Sequence, residues 1–166
     1  MTRGHAEALF PMIEEVLAEA KACYADLTRI AVCTGPGSFT GLRIGIAAAR
    51  GLALGLGIPA VGVSRLEALG DGWTGHVVLN GRGGTLFAQE FDAGTPVGAP
   101  FATTDQPEGD LIGDGVPGSD EDTGLVDLFV LARIAAGRDA APRPAPLYLR
   151  DADADPPREA PPVMLD

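Results

Sequence analysis

GPGSFTGLRIGIAAARGLALGLGIPAVGVSRLEAL, Gly35 to Leu69, joins a glycine-rich turn, an apolar helix and a short apolar run in one unbroken segment. Just before it, Arg29 to Cys33 (RIAVC) forms a short β-like run that feeds into the glycine-rich turn TGPGSFTG. From Leu42 to Leu56 the apolar residues recur at helical spacing, and Gly57 and Pro59 supply a C-terminal stop. Ala60 to Val63 then reads as a second short buried strand. Strand, helix and strand within about thirty residues predict parallel strands joined by a right-handed crossover, and therefore an α/β class.

The central helix carries small residues four apart: Gly41, Gly45, Ala49, Ala53 and Gly57. Beside them runs a large stripe, Leu42, Ile46 and Leu54, broken by Arg50. A small stripe lets another backbone approach closely, so it marks a packing face. The pattern alone leaves open whether that contact is within the chain or between subunits. Upstream, Ala6 to Ala20 reads as an amphipathic helix, with Leu9, Met12, Ile13, Val16, Leu17 and Ala20 on one side and Glu7, Glu14, Glu15 and Glu19 on the other.

Beyond Leu69 the composition shifts. His76 to Asn80 and Thr85 to Phe91, joined by Gly81-Arg82-Gly83-Gly84, read as a β-hairpin. Asp92 to Pro107 reads as loop, Leu111-Ile112 as one more strand, and Gly124 to Ala136 as a helix. From Ala140 onward the chain is rich in proline, and its end is acidic and extended.

Composition bounds the function. The 166 residues hold 12 basic and 23 acidic side chains, for a net charge of -11. Nucleic-acid affinity comes mostly from Lys and Arg releasing condensed counterions, so strong direct RNA binding by this chain is not expected. Lys21 is the only lysine. Cys23 and Cys33 make neither a CxxC pair nor a disulfide framework. The N-terminal text has no apolar signal region, and the apolar stretch Ile44 to Val63 is interrupted by Arg50 and by glycines and a proline. A soluble, cytoplasmic protein is the expectation.

The candidates for chemistry are few. Gly35, Gly37, Ser38, Gly41 and Arg43 could cradle an anion at a helix N-terminus. No GK[ST] follows and the Rossmann spacing is missed, so a tight turn serving backbone geometry is the favoured reading. Ser38 lies outside any GxSxG elbow. His5 and His76 have no partner at i+4, and Glu67 and Asp114, each able to act as acid or base, are not paired by spacing. The residues point to no catalytic constellation and no metal site.

The block Gly35 to Leu69, with RGHAEALFPMIEEVLAEA at the start, LIGDG between, and PLYLRDADADPP near the end, resembles the TsaB family, also called YeaZ. The resemblance covers most of the chain. It implies the α/β ASKHA (actin/Hsp70-like) fold with two lobes: a first lobe over residues 1–70, a smaller second lobe over 71–150, and a mobile acidic, Pro-rich tail over 151–166. It implies a non-catalytic subunit that binds and supports a TsaD-type enzyme in forming threonylcarbamoyladenosine on ANN-reading tRNAs. No cofactor is implied for this subunit. A TsaE-type ATPase would join through the complex, and tRNA contact would fall to the partner. By analogy the first two helices form the interface, through Leu9, Met12, Ile13, Val16, Gly45, Ala49, Leu52 and Ala53, either to TsaD or to a second copy as a homodimer when alone.

The same resemblance brings in the M22 glycoprotease-like relatives, whose segment of the form VNHLEGH binds a metal through two histidines. Val63 to Leu69 is the matching text here, and the ligand positions hold Arg65 and Leu69. Arg brings a fixed positive charge and Leu no lone pair, which disfavours an M22-type metallopeptidase. A nucleotide-binding regulator using Gly35 to Arg43 is the remaining alternative. Family members begin with a strand of the form LAIDTS and further strands before the RGH helix. Their absence here implies an N-terminally truncated first lobe with bare apolar surface.

Overall fold

Four apolar residues flanked by Arg29 and Thr34 make β1 (Ile30–Cys33), which pairs in parallel with β2 (Ala60–Val63), Ile30 opposite Ala60 and Cys33 opposite Val63. The computed structural model describes residues 5–139 and 143–149, and the acidic tail expected over 151–166 lies outside them. α1 (His5–Glu19) precedes β1, and α2 (Phe39–Leu56) links the two strands. α2 starts earlier than its apolar periodicity suggests, because the Ser38 hydroxyl accepts the Gly41 N–H as a helix cap. It ends where Gly57, at φ 67°, returns its N–H to the Ala53 and Leu54 carbonyls. By length and composition α2 could cross a bilayer. Here it packs against β1 and β2, burying Ile46, Ala49 and Ala53.

β2 runs directly into α3 (Arg65–Leu69), a helix that the sequence reading did not separate from its strand. Ser64 and Glu67 form a reciprocal capping box: each side chain accepts the other's backbone N–H, at 3.0 and 2.8 Å. The S-x-x-E spacing was the available signal.

The second sheet has four strands in the order β5-β4-β3-β6. β3 (Gly75–Asn80) and β4 (Leu86–Asp92) form the expected hairpin, Gly75 opposite Phe91 and Asn80 opposite Leu86. β6 (Leu111–Ile112) adds to β3 in parallel. The segment read as loop contains instead β5 (Thr95–Thr103), nine residues antiparallel to β4. Pro96, Gly98 and Pro100 disguised it. Proline removes a ladder donor, which an edge strand tolerates, and β5 is at the edge.

α4 (Leu128–Ala136) also begins later than expected. Residues 121–124 form a 3-10 turn, and the Asp127 carboxylate caps the helix by accepting the Phe129 N–H at 2.8 Å. α4 packs on the first sheet: Leu131 and Ala135 share a core with Val61, Val63 and Ala68, against which Ala31 and Cys33 pack. The Leu147 N–H donates to the Thr34 carbonyl at 2.8 Å. Residues 128–136, expected in the second lobe, therefore return to β1 and β2, as do Pro144 and Leu147, while Leu149 packs against the core of Leu66, Val77, Leu79 and Phe91. The other sheet has its own cores, Leu66, Val77, Leu79 and Phe91 on one side and Val78, Leu86 and Ala88 on the other.

Gly113, just after β6, fixes where that strand meets the loop behind it. Its φ is +112°, and a Cβ there would collide with the Val78 carbonyl oxygen, which accepts the Gly115 N–H. Gly113→Ala is expected to lower stability by about 2–3 kcal/mol in urea unfolding. A midpoint equal to that of the unmodified chain would show that the turn relaxes freely.

Candidate functional site

The outward face of the first two helices is the place to test partner contact. On α1, Leu9, Ile13 and Leu17 are half-buried, while Met12 (53%) and Val16 (62%) stand exposed with Phe10. The helix packs on α2, so its apolar residues divide between an inner row and an outer row. Met12 and Val16, four residues apart, share one face of this helix, which carries four glutamates, and Phe10 stands on another side; exposed apolar side chains of this kind are poorly solvated.

The small stripe of α2 divides too, and this corrects the expectation for two of its members. Ala49 (5%) and Ala53 (6%) are buried within the chain and drop out as partner contacts. Their spacing reports the approach of α2 to its own sheet. Gly45 and Leu52 are half-buried, and nothing lies near the position a Gly45 Cβ would take. Gly45 thus leaves a shallow, open place on the helix surface.

At the start of α2 the structure assembles a group that no sequence spacing announces. Phe39 stacks on Tyr148 with ring centroids 5.6 Å apart, and the Arg43 guanidinium lies 3.8 Å from the Phe39 centroid. Arg43 Nε also donates to the Tyr148 hydroxyl at 3.1 Å. Cation–π and stacking contacts of this kind hold half-exposed aromatic rings rigid. The anion cradle weighed at Gly35, Gly37, Ser38, Gly41 and Arg43 looks different in this light. Ser38 spends its hydroxyl on Gly41, Arg43 lies on Phe39, and the Gly35 carbonyl accepts the Arg65 N–H at 2.6 Å. Gly35 and Pro36 are buried, and Gly37 is exposed.

Glu67 and Asp114, unpaired by sequence, each hold an arginine. Arg65 Nη2 meets Asp114 Oδ2 at 2.7 Å, and Arg65 Nε donates to the Gly124 carbonyl at 2.7 Å. The other Asp114 oxygen accepts the Asn80 N–H at 2.8 Å. Glu67 Oε1 accepts from Arg138 Nη2 at 2.5 Å, and Arg138 Nη1 donates to the Gly62 carbonyl. Leu69 packs into the core with Leu66. A divalent ion does not fit between these positions: the Arg65 guanidinium already brings its own positive charge to Asp114, and Leu69 offers no donor atom. His76 sits edge-on to Phe101, with centroids 6.4 Å apart.

The family model described as TsaD, tRNA N6-adenosine threonylcarbamoyltransferase, matches residues 1–78. An uncharacterised protein of Mycobacterium tuberculosis is 36% identical over 168 residues, covering 93% of this chain and 79% of its own length. The Escherichia coli tRNA threonylcarbamoyladenosine biosynthesis protein TsaB is 43% identical over 70 residues, covering 42% of this chain and 30% of that protein. Among solved structures, YeaZ from Pseudomonas aeruginosa superposes with a TM-score of 0.67 at 27% identity, covering 89% of this chain and 85% of that one.

One titratable group beside the glycine turn has a perturbed environment. Burial pushes the Cys33 thiol above its ordinary range, against smaller opposing effects of the Gly35 N–H and the Arg65 charge. In the unfolded chain a thiol ionises near pH ~8.5, while folded Cys33 keeps its proton to higher pH. The unfolded state then binds fewer protons than the folded one, so stability falls as pH rises through that window. Urea unfolding of the unmodified chain is expected to show this decline between about pH 8 and 10, and Cys33→Ala to flatten it. Equal slopes for the two proteins would contradict the assignment.

Proposed function

The chain belongs to the TsaB (YeaZ) family, and we propose that it acts in tRNA threonylcarbamoyladenosine formation as a non-catalytic subunit that binds and supports a TsaD-type enzyme. The observation that carries the proposal is the exposure of Met12 and Val16, two large apolar side chains four residues apart on one face of α1. Large apolar side chains on an otherwise acidic helix are stabilised by a partner that removes them from water. Leu9, Ile13 and Leu52 are half-buried. In the absence of the enzyme the same face would serve a homodimer.

The non-catalytic part of the reading rests on the carboxylates. Asp114 and Glu67 are each neutralised by an arginine that also grips a backbone carbonyl, an arrangement suited to holding elements together and poorly suited to moving protons. The net charge of -11 leaves tRNA contact, on ANN-reading species, to the enzyme partner. A TsaE-type ATPase would meet this chain within the assembled complex. A cytoplasmic setting follows from the tRNA substrate.

Light scattering after size exclusion, with the TsaD-type protein of the same source, tests the reading. A one-to-one complex is expected. Met12→Asp should weaken it by about thirtyfold or more, as for a truncated hot spot. Phe129→Asp on α4, at a side chain 87% exposed, should leave it intact. No complex with the unmodified chain would defeat the subunit role, while a complex indifferent to Met12→Asp would defeat the assignment of the face.

A further inference from the structure

The C-terminal end of α2, remote from Phe39, borders a half-open cavity of about 490 Å³. Leu54, Ile58, Pro59 and Pro144 give it an apolar wall, and Arg50 and Arg143 belong to the same lining. A neighbouring cavity of about 420 Å³ shares Arg143 and Pro144 with it, and has Arg138 and Asp139 on its own wall. Mostly apolar hollows of this size with a few charged groups are the usual form of small-molecule sites.

The use of arginine elsewhere makes this pair unusual. Arg29 donates to the Ala135 and Arg138 carbonyls, Arg43 lies on Phe39, Arg65 holds Asp114, Arg133 holds Asp71 and Arg138 holds Glu67. Arg50 and Arg143 have no such partner among the described residues, in a chain with 23 acidic side chains. The nearby end of α2 adds a partial negative charge, but it is about half an elementary charge against two full positive ones. The Ala53 and Leu54 carbonyls there are also already satisfied by the Gly57 N–H.

We propose that this cavity binds a small amphipathic anion: a phosphate or carboxylate group held by Arg50 and Arg143, carried on an apolar body that lies against Leu54, Ile58 and Pro59. The planar guanidinium fork matches either oxyanion, and two such groups suit one that is doubly charged. The site is separate from the α1 face and does not depend on partner binding.

Calorimetry on the full chain with phenyl phosphate, and with inorganic phosphate as the headgroup alone, tests the proposal. Phenyl phosphate should bind one-to-one with a dissociation constant of about 1 mM or tighter, and inorganic phosphate about tenfold more weakly. Arg50→Gln and Arg143→Gln should each weaken phenyl phosphate about tenfold, and Leu54→Glu, which sets a carboxylate on the wall, should abolish binding. Arg133→Gln is the control and should change nothing. All four positions are exposed, and thermal melts matching the unmodified chain establish that the variants are folded. No saturable heat with phenyl phosphate overturns the site, as does binding indifferent to both glutamine variants. Equal affinity for the two phosphates overturns the apolar half of the proposal.

Discussion

Leu66 and Ala68 lie two residues apart on a five-residue helix, yet they enter different hydrophobic cores. Leu66 packs with Val77, Leu79 and Phe91 on the four-stranded sheet, and Ala68 packs with Val61, Val63, Leu131 and Ala135 on the two-stranded one. A helix this short has no stability of its own, because nucleation costs more than a single turn returns. It exists because the Ser64–Glu67 capping box closes its first turn and both cores need the side chains it presents. The arginine contacts fall on the same element: Arg65 reaches Asp114 and Gly124, and Arg138 reaches back to Glu67 and Gly62. The relation of one sheet to the other is thus set by five residues.

That arrangement explains why the carboxylates near the expected site are structural. A half-buried ion pair gains little over its hydration cost unless extra hydrogen bonds satisfy the remaining lone pairs. Asp114 receives such a bond from the Asn80 N–H, and Glu67 from the Ser64 N–H. Each carboxylate thereby joins a strand end or a cap to an arginine from a distant part of the chain.

Much of the first half of the molecule was legible in the sequence. RIAVC and AVGV, separated by a helix with a glycine stop, permit little other than a parallel pair. The second half was less so, for physical reasons. The β5 ladder depends on being an edge strand, a fact about neighbours that Pro96 and Pro100 do not reveal. The Arg65–Asp114 pair spans 49 residues and the Arg43–Tyr148 contact spans 105, and no periodicity links such positions. The small stripe of α2 shows the opposite limit. Spacing identified a face built for close approach, but a sheet and a partner helix ask for the same small residues. Only burial distinguishes Ala49 and Ala53, which meet the chain's own core, from Gly45, which does not.

The distribution of positive charge is the last consequence of this design. A chain with 12 basic residues against 23 acidic ones has few cations to place, and Arg29, Arg65, Arg133 and Arg138 are spent on holding α3, α4 and the second sheet in position. A guanidinium already paired with a carboxylate cannot release counterions from a phosphate backbone, since its charge is balanced. The surface left to the molecule is therefore acidic, with apolar side chains exposed on α1 and, among the described residues, the unspent Arg50 and Arg143 at the far end of α2. Such a surface is matched by apolar and shape-complementary contact with another protein, and by small anions at one defined place, far better than by the continuous polyanion of a nucleic acid.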